Sequence, residues 1–333
     1  MTSPNSFTPP QETQHTPEQT LENAEVIFEV FGLPNPMSDL EGYEKKKKEL
    51  KERCQLIDSV GKQKNDVRID NYAIEDNFSD KEIDAIKWFA QVSRMHNFET
   101  GEDFETPLAG EYDFTIVPAG RNGSANRLEQ VVLKAIDDGT ATVNGPIVLA
   151  GSMERKFAPQ KDGKDNPELV YFRKTYPDAF RRLMNDNGAD YIPSEYDLVQ
   201  AQAEHYTTTL DREVVAVGAA KTEERDYVDT YAVASVALDR VRDRMIGTNS
   251  TESEELFKGS RAAFATNEIY NASNGPHMQL AAEQHGISLD RVTVAGCAAP
   301  GKPERNLTAY LNESLKAIDT ASEYVSRKDS QAV

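Results

Sequence analysis

Residues 113–137 read DFTIVPAGRNGSANRLEQVVLKAID, a short β-branched run that passes through a glycine-containing turn into an amphipathic helix. Such a run predicts a buried strand, and apolar residues at helical spacing after it predict a helix packed on that strand. The same alternation recurs to about residue 324. The sequence therefore predicts an α/β fold, a Rossmann-like and mainly parallel sheet flanked by helices, with a helical N-terminal extension.

Short apolar runs and longer amphipathic segments carry this prediction. The predicted strands are Phe114–Val117, Ile147–Leu149, Glu213–Val217, Arg261–Ala265 and Val292–Ala295. The predicted helices are Ala125–Asp137, Pro177–Asn187, Ser194–Thr208, Tyr227–Val241, Pro276–His285 and Asn306–Tyr324. Because these helices are long enough to carry the chain back across the sheet, consecutive strands are expected to run parallel through right-handed crossovers.

The chain divides into four segments by composition. Residues 1–19 are rich in Ser, Thr, Pro, Gln and Asn without apolar periodicity, so they are expected to form a disordered tail. Residues 20–111 show helical patterns and are expected to form a helical cap or subdomain. Residues 112–324 form the predicted α/β domain, and residues 325–333 are expected to be flexible.

Helix signals are strong in the N-terminal segment. Apolar residues recur at helical spacing over Leu21–Phe31, and Gly32 ends the pattern. A second helix is predicted over Asp39–Val60. Ser79 precedes Glu82 at the spacing of a capping box, which predicts the start of a third helix. The apolar stripe that this helix is expected to bury comprises Ile83, Ile86, Trp88 and Phe89.

The composition argues against several classes of function. Acidic residues outnumber basic ones by 56 to 37, and a net charge of −19 would repel nucleic acid. Cys54 and Cys297 are the only cysteines and lie too far apart for a disulfide framework, which fits a reducing compartment. No stretch approaches about 18 consecutive apolar residues, so no membrane partner is expected and a cytoplasmic location is predicted. A homodimer is the base-rate expectation.

The loop after the first predicted strand predicts an anion site. Ligands of parallel sheets bind beyond the carboxyl ends of the strands, and amide N–H groups at the start of the next helix attract anions. Here the glycines would let the backbone approach the anion, while the polar side chains would contact it. A plain strand-to-helix turn also needs glycine, so this alternative stays open. The candidate anion-binding residues are Gly120, Asn122, Gly123, Ser124 and Arg127.

Other strand ends and one helix start add small or polar residues that a ligand would need. Asn and Thr supply directed hydrogen bonds, Tyr offers a stacking face and Lys offers a positive charge. Alternatively, the polar residues near helix starts cap those helices. The further candidate ligand-binding residues are Gly151, Ser152, Lys221, Thr230, Thr266, Asn267 and Tyr270.

Two acidic residues lie near helix starts and are the candidate catalytic groups. Glu195 follows Ser194, and Asp229 precedes Thr230. A carboxylate in a partly dry pocket has a raised pKa and serves as a general acid or base. A helix N-terminus favours an acid for electrostatic reasons alone, which is the alternative for Glu195. The alternative for Asp229 is that it caps the helix turn or lies at the surface. The scattered histidines offer no transition-metal spacing, so no metal is expected.

The order of these features resembles the bacterial domain family that includes YdcF, SanA and ElyC, within it the soluble YdcF-like branch, whose function is largely undefined. The resemblance covers about residues 112–287, and Tyr270 stands where the family has a histidine. It implies a Rossmann-like fold and a nucleotide-like ligand, with S-adenosylmethionine or a nucleotide as the cofactor. The positions that match the family's pattern are Gly120, Arg127, Leu128, Gly151, Ser152, Glu195, Thr230, Thr266 and Asn267.

Three functions follow as hypotheses. In the first, the protein binds a nucleotide-like or phosphorylated small molecule at its strand ends and acts on it by group transfer or hydrolysis. The second is a ligand-sensing or protein-interaction module without catalysis, in which the N-terminal helices recruit a partner. The third is a structural protein with an empty pocket. Rossmann-like sheets host many unrelated activities, so the fold alone does not choose among them.

Overall fold

The computed structural model confirms the predicted α/β fold, with a parallel sheet flanked by helices. In the part of the chain that it describes, no helix is both long and apolar enough to cross a membrane. The described residues are 16–54, 78–102, 104–119, 123–159, 165–210, 212–221, 228–246, 251–298 and 307–331.

The secondary structure alternates between strands and helices after residue 110. The helices are α1 (Pro17–Asn23), α2 (Glu25–Phe31), α3 (Leu40–Arg53), α4 (Asp80–Val92), α5 (Gly123–Arg127), α6 (Lys134–Asp137), α7 (Pro167–Thr175), α8 (Pro177–Asn187), α9 (Glu195–Leu210), α10 (Thr230–Ile246), α11 (Thr251–Lys258), α12 (Asn271–Gln284) and α13 (Leu307–Gln331). The strands are β1 (Gly110–Tyr112), β2 (Phe114–Pro118), β3 (Ala141–Val143), β4 (Ile147–Ser152), β5 (Val214–Ala219), β6 (Ala262–Asn267) and β7 (Val292–Cys297). A π-helical turn, Leu128–Leu133, joins α5 to α6, and 3-10 segments cover Glu268–Tyr270 and Leu289–Arg291.

The main sheet has the strand order β5-β4-β2-β6-β7, and all four neighbouring pairs are parallel. The chain enters at the central strand β2, winds outward through β4 to β5, and returns to the other side for β6 and β7. The five strands predicted from the sequence are confirmed, and each runs one to three residues further at its C-terminal end. The small parallel pair of β1 and β3 was not predicted.

Two apolar layers cover the faces of the sheet. One layer packs under the helix that runs from α5 to α6 and under α9, and it includes Val117, Leu128, Leu149, Val199 and Ala295. The other layer packs under α10 and α12, and it includes Phe114, Val148, Leu238, Phe264 and Met278. Because the β2 and β4 side chains alternate between these layers, both strands are buried throughout.

The N-terminal helices pack on α13 to form a third apolar cluster. Its fully buried members include Ile27, Ile86, Phe89, Leu311 and Ile318, which come from both ends of the chain. The N-terminal region is helical as expected, and the C-terminal helix supplies much of the surface on which it packs. α13 extends to Gln331, beyond the predicted end at Tyr324, and α1 begins at Pro17, inside the predicted tail.

Two details of the N-terminal helices differ from the sequence pattern. The helix predicted over Leu21–Phe31 is interrupted at Ala24, and Gly32, with φ of +63°, ends its second half. Trp88 is 47% exposed, so the prediction that it belongs to the buried stripe is wrong. The buried face of α4 is formed by Glu82, Ala85, Ile86, Phe89 and Ala90. The predicted extension of the second helix to Val60 lies outside the described residues.

A polar cluster ties α3 to α13. The hydroxyl of Tyr43 donates to Asp319 Oδ1 at 2.9 Å, and Lys47 Nζ lies 3.0 Å from the same oxygen. Burial raises the pKa of Asp319, and the Lys47 ammonium acts in the opposite direction. The two ends of the chain are thus joined by charge as well as by apolar packing.

We expect Ile318→Ala to lower the free energy of unfolding by about 2–5 kcal/mol, because it leaves a cavity between α13 and the N-terminal helices. Urea denaturation measures this loss. The matched control is Leu256→Ala on α11, where the side chain is 63% exposed and the expected change is within about 0.5 kcal/mol. Equal effects of the two variants would show that α13 is not part of the core.

Candidate functional site

The strand order reverses between β2 and β6, and such reversals are where ligands bind in open parallel sheets. β2 and β6 are neighbours, yet the chain leaves β2 toward β4 and leaves β6 toward β7. Their connections therefore diverge and open a crevice at the carboxyl edge. The helix after β2 begins at Gly123, beside this crevice.

Arg127 spans the two strands at this point. Its Nε donates to Asn267 Oδ1 at 2.9 Å, and one of its terminal N–H groups donates to the backbone carbonyl of Pro118. The residue is 6% exposed. The π-helical turn starts at the next residue, Leu128, and such turns occur frequently at functional sites.

The Arg127 guanidinium carries a buried charge that no carboxylate of the described residues pairs with. Among the described residues, no carboxylate lies within ion-pair distance of it. Burial lowers its pKa, and the nearby Cys297, Tyr270 and Glu195 oppose that effect while Arg155 adds to it. Since an arginine stays charged in proteins, an anion at this position would supply the missing partner.

A second polar pair lies one helical turn before Arg127. Ser124 Oγ donates to Gln202 Oε1 at 2.7 Å, and Gln202 is fully buried in the middle of α9. The Nε2 atom of Gln202 has no hydrogen-bond partner in the described part of the chain. A buried amide without an acceptor is costly, so Nε2 is a donor that a ligand would satisfy.

Asparagine amides and a buried thiol lie on the β7 side of Arg127. The Asn126 and Asn267 Nδ2 atoms lie 3.3 and 3.5 Å from Cys297 Sγ, and both also reach the carbonyl oxygen of Ala298. Burial raises the pKa of the Cys297 thiol, whereas the charge of Arg127 acts in the opposite direction. The two amide groups on this side of the crevice thus already have acceptors within the chain.

Acidic side chains lie on the β4 side, where Arg155 pairs with them. Its terminal nitrogens contact Glu195 and, at 3.6 Å, Glu168 Oε1. Glu195 is 7% exposed, and its Oε2 accepts a hydrogen bond from the Ser152 amide at 3.3 Å. Glu195 is therefore held in an ion pair with Arg155. Arg127, in contrast, has no such carboxylate partner among the described residues.

Gly151 and Ser152 shape the turn after β4. A side chain at Gly151 would lie 3.1 Å from the backbone of Glu195, so glycine lets the start of α9 approach the strand closely. Ser152 Oγ accepts hydrogen bonds from the amides of Glu154 and Arg155 at 3.2 and 3.1 Å. These contacts within the chain are sufficient to explain why Gly and Ser occupy these positions. Both residues nevertheless stay candidate ligand contacts.

The other ligand-binding candidates are placed at different distances from the crevice. Thr266 is buried at the end of β6, and Tyr270 is half-buried against the cluster of N-terminal helices. Gly123 is the first residue of α5. Gly120 and Asn122 lie outside the described residues.

The three candidates after β5 are not gathered around Arg127. Asp229 Oδ1 accepts a hydrogen bond from the Ala232 amide at 2.7 Å, which caps α10. Thr230 Oγ1 donates to Asn274 Oδ1 at 3.0 Å and so links α10 to α12. Lys221 is exposed beyond β5, the edge strand.

Glu268 is a fully buried carboxyl that sequence reasoning missed. Its Oε1 accepts from Thr106 Oγ1 at 2.8 Å and lies 3.6 Å from Arg94 Nε, whereas Oε2 has no hydrogen-bond partner in the described part of the chain. Burial raises its pKa, and the Thr106 hydroxyl and Arg94 charge oppose that rise. It joins the end of β6 to the segment that pairs with Gly296 of β7.

Sequence reasoning also missed four residues near Arg127. Cys297 follows the fifth predicted strand and Arg155 follows the second, so the strand-end rule that selected Ser152 would have found them. Asn126 lies next to Arg127 on the same predicted helix. Gln202 stands in the middle of a helix, where no local pattern marks it.

Comparison with known proteins adds no relative. No family model, curated protein or solved structure matches the chain. The resemblance to the YdcF-like family stays a prediction. Across the described residues, no group of three or more His, Cys, Asp or Glu side chains is arranged to hold a metal ion.

We expect the stability of the protein to depend on pH through Glu268. Because its folded pKa lies above that of a glutamate in the unfolded chain, its contribution is full at acidic pH and is lost as pH rises through the folded pKa. Relative to Glu268→Gln, the wild type should therefore lose free energy of unfolding from acidic to neutral pH. Urea denaturation across that range measures the difference. The control is Glu111→Gln, an exposed position, for which the free energy of unfolding should change with pH as it does in the wild type. The prediction fails if Glu268→Gln also shows the same pH dependence as the wild type.

Proposed function

We propose that the protein binds a small anionic molecule, a phosphorylated or nucleotide-like compound, in the crevice between β2 and β6. The observation that carries this proposal is the buried guanidinium of Arg127, which lies at the reversal of strand order and has no carboxylate partner among the described residues. Buried charges in proteins are normally paired. The missing partner is the anion of the ligand.

The hydrogen-bonding groups around Arg127 suit a phosphate. A guanidinium has five N–H donors, and two of them serve Asn267 and Pro118, which leaves three to bind oxyanion oxygens. Gln202 Nε2 adds a donor, and the start of the helix at Gly123 adds a favourable dipole. Phosphate oxygens accept several hydrogen bonds at once, so this set of donors fits them.

The proximity of Tyr270 supports the nucleotide-like part of the proposal. Its phenol lies close enough to influence the pKa of Arg127, and its ring is half-buried. An aromatic face near an anion site suits the base of a nucleotide or of S-adenosylmethionine. Tyr270 also packs against the N-terminal helices, which favours the second candidate, a ligand-sensing module.

Catalysis by transfer or hydrolysis is the further part of the proposal, with Glu195 as its acid or base. Glu195 influences the pKa of Arg127, so it belongs to the same cluster of charges. Arg155 fixes its orientation. Asp229 caps α10 and is the weaker of the two candidates.

A thermal-shift screen tests binding, with phosphate, pyrophosphate, nucleotides, nucleotide sugars and S-adenosylmethionine as ligands. A ligand at 100 times its dissociation constant should add about 2.7 kcal/mol of stability. We expect Arg127→Met to weaken that ligand at least about tenfold, because each charge-assisted hydrogen bond contributes about 1.5–3 kcal/mol. Without ligand, the variant should still fold, because removal of a buried charge that has no carboxylate partner among the described residues offsets the loss of the hydrogen bonds to Asn267 and Pro118.

The control for this screen is Arg181→Ala, which removes an arginine whose side chain is 71% exposed on α8. It should leave the ligand affinity unchanged. If Arg127→Met folds and binds the ligand as tightly as the wild type does, the site lies elsewhere and the proposal fails.

The amide variants separate an enzyme from a sensor. Once a ligand is found, its conversion is followed by product analysis. We expect Glu195→Gln to lower turnover about a hundredfold or more while the dissociation constant changes little, as for loss of an acid or base. Asp229→Asn keeps the helix cap and should leave turnover unchanged. Binding without turnover in the wild type would favour the sensing module.

A further inference from the structure

The edge strand β5 presents hydrogen-bonding groups that the chain itself does not use. In the parallel pair with β4, the Ile147 amide donates to the carbonyl of Glu213, and the Met153 amide donates to that of Ala219. Because alternate residues bond to one neighbour, 213, 215, 217 and 219 face β4, whereas Val214, Ala216 and Gly218 face outward.

Within the described part of the chain, Val214 is the outward residue whose backbone groups are bonded. Thr207 Oγ1 accepts from the Val214 amide at 3.2 Å and donates to the Val214 carbonyl at 3.0 Å. No other described residue bonds to the outward groups of Ala216 and Gly218. Such a pair of free residues on an edge strand is a template for another strand.

An open groove gives access to this edge. It has a volume of about 680 Å³ and runs between α9 and α10 along the start of β5. Its wall on α9 includes Tyr196, Gln200 and Glu204, and Arg244 of α10 closes the other side. The groove exposes the β5 edge as far as Ala216.

We propose that β5 of a second copy of this chain binds here, antiparallel and related by a two-fold axis at Val217. In this register Ala216 of each copy pairs with Gly218 of the other, and each pair exchanges two hydrogen bonds. Val217 faces itself across the axis. The ladder ends at Val214, where Thr207 already occupies the backbone groups.

Charge complementarity selects a second copy as the occupant. The same register brings Glu213 of each copy towards Lys221 of the other, four residues either side of Val217 and just beyond the last paired residues, so the axis produces this contact at both ends of the ladder. Glu213 is exposed and is held by Arg244, and Lys221 is exposed. Opposite charges that flank a strand pair attract each other across the interface and favour this register over one that brings like charges together. The self-complementary arrangement is what a closed dimer needs.

Sedimentation equilibrium at several protein concentrations tests the dimer. The wild type should show a reversible monomer–dimer equilibrium. Ala216→Pro removes an outward N–H group and leaves the bonds to β4 intact, so the variant should fold and stay monomeric where the wild type dimerises. A wild type that stays monomeric at every concentration, or a dimer that Ala216→Pro leaves unchanged, would overturn the proposal.

Charge reversal tests the register without a change of backbone. Glu213→Lys and Lys221→Glu should each weaken the homodimer about tenfold, because symmetry changes the contact twice. Mixed together, the two variants should form a heterodimer with opposite charges at both ends. Lys174→Glu, an exposed reversal on α7, is the control and should have no effect. Single variants that dimerise like the wild type, or a mixture that does not recover, would refute the pairing.

Discussion

The central position of β2 is the constraint on which the rest of the molecule depends. Because the chain leaves β2 toward β4 and later returns to β6 on the other side, the two connections diverge and a crevice opens between neighbouring strands. The helix after β2 has to begin at this crevice. A long side chain one turn into that helix, Arg127, therefore reaches acceptors on both strands.

Arg127 and Arg155 both place a positive charge near the strand ends, but their charges are compensated differently. Arg155 forms ion pairs with Glu195 and Glu168, so carboxylates of the same chain neutralise its charge. Arg127 is more deeply buried and has only neutral acceptors among the described residues. Such an arrangement costs stability in the absence of a ligand, and proteins retain costs of this kind where function requires them.

The two edges of the sheet are treated differently. At β7 the backbone of Gly296 exchanges both of its hydrogen bonds with Thr106, so the chain protects that edge from within. At β5 the described residues offer one such protection, the bonds of Thr207 to Val214. Exposed edges invite strand addition, and the β5 edge lies at the opposite end of the sheet from the protected β7 edge. The crevice proposed for the ligand and the edge proposed for self-association are thus separate surfaces of one sheet.

The sequence by itself determined the five strands, their parallel direction, the position of Ser124 and Arg127 in the helix that follows the first strand, and that of Asn267 at the end of the fourth. The spacing of apolar residues shows which face of a segment is buried. Because the segments between strands are long enough to be crossover helices, few strand topologies fit them. Only the tertiary structure decided that Arg127 meets Asn267, 140 residues away, or that Gln202 lies beside Ser124. It also separated Glu195, which joins the charges around Arg127, from the helix cap at Asp229. The physical reason is that partners across a sheet depend on strand order, which no local pattern records.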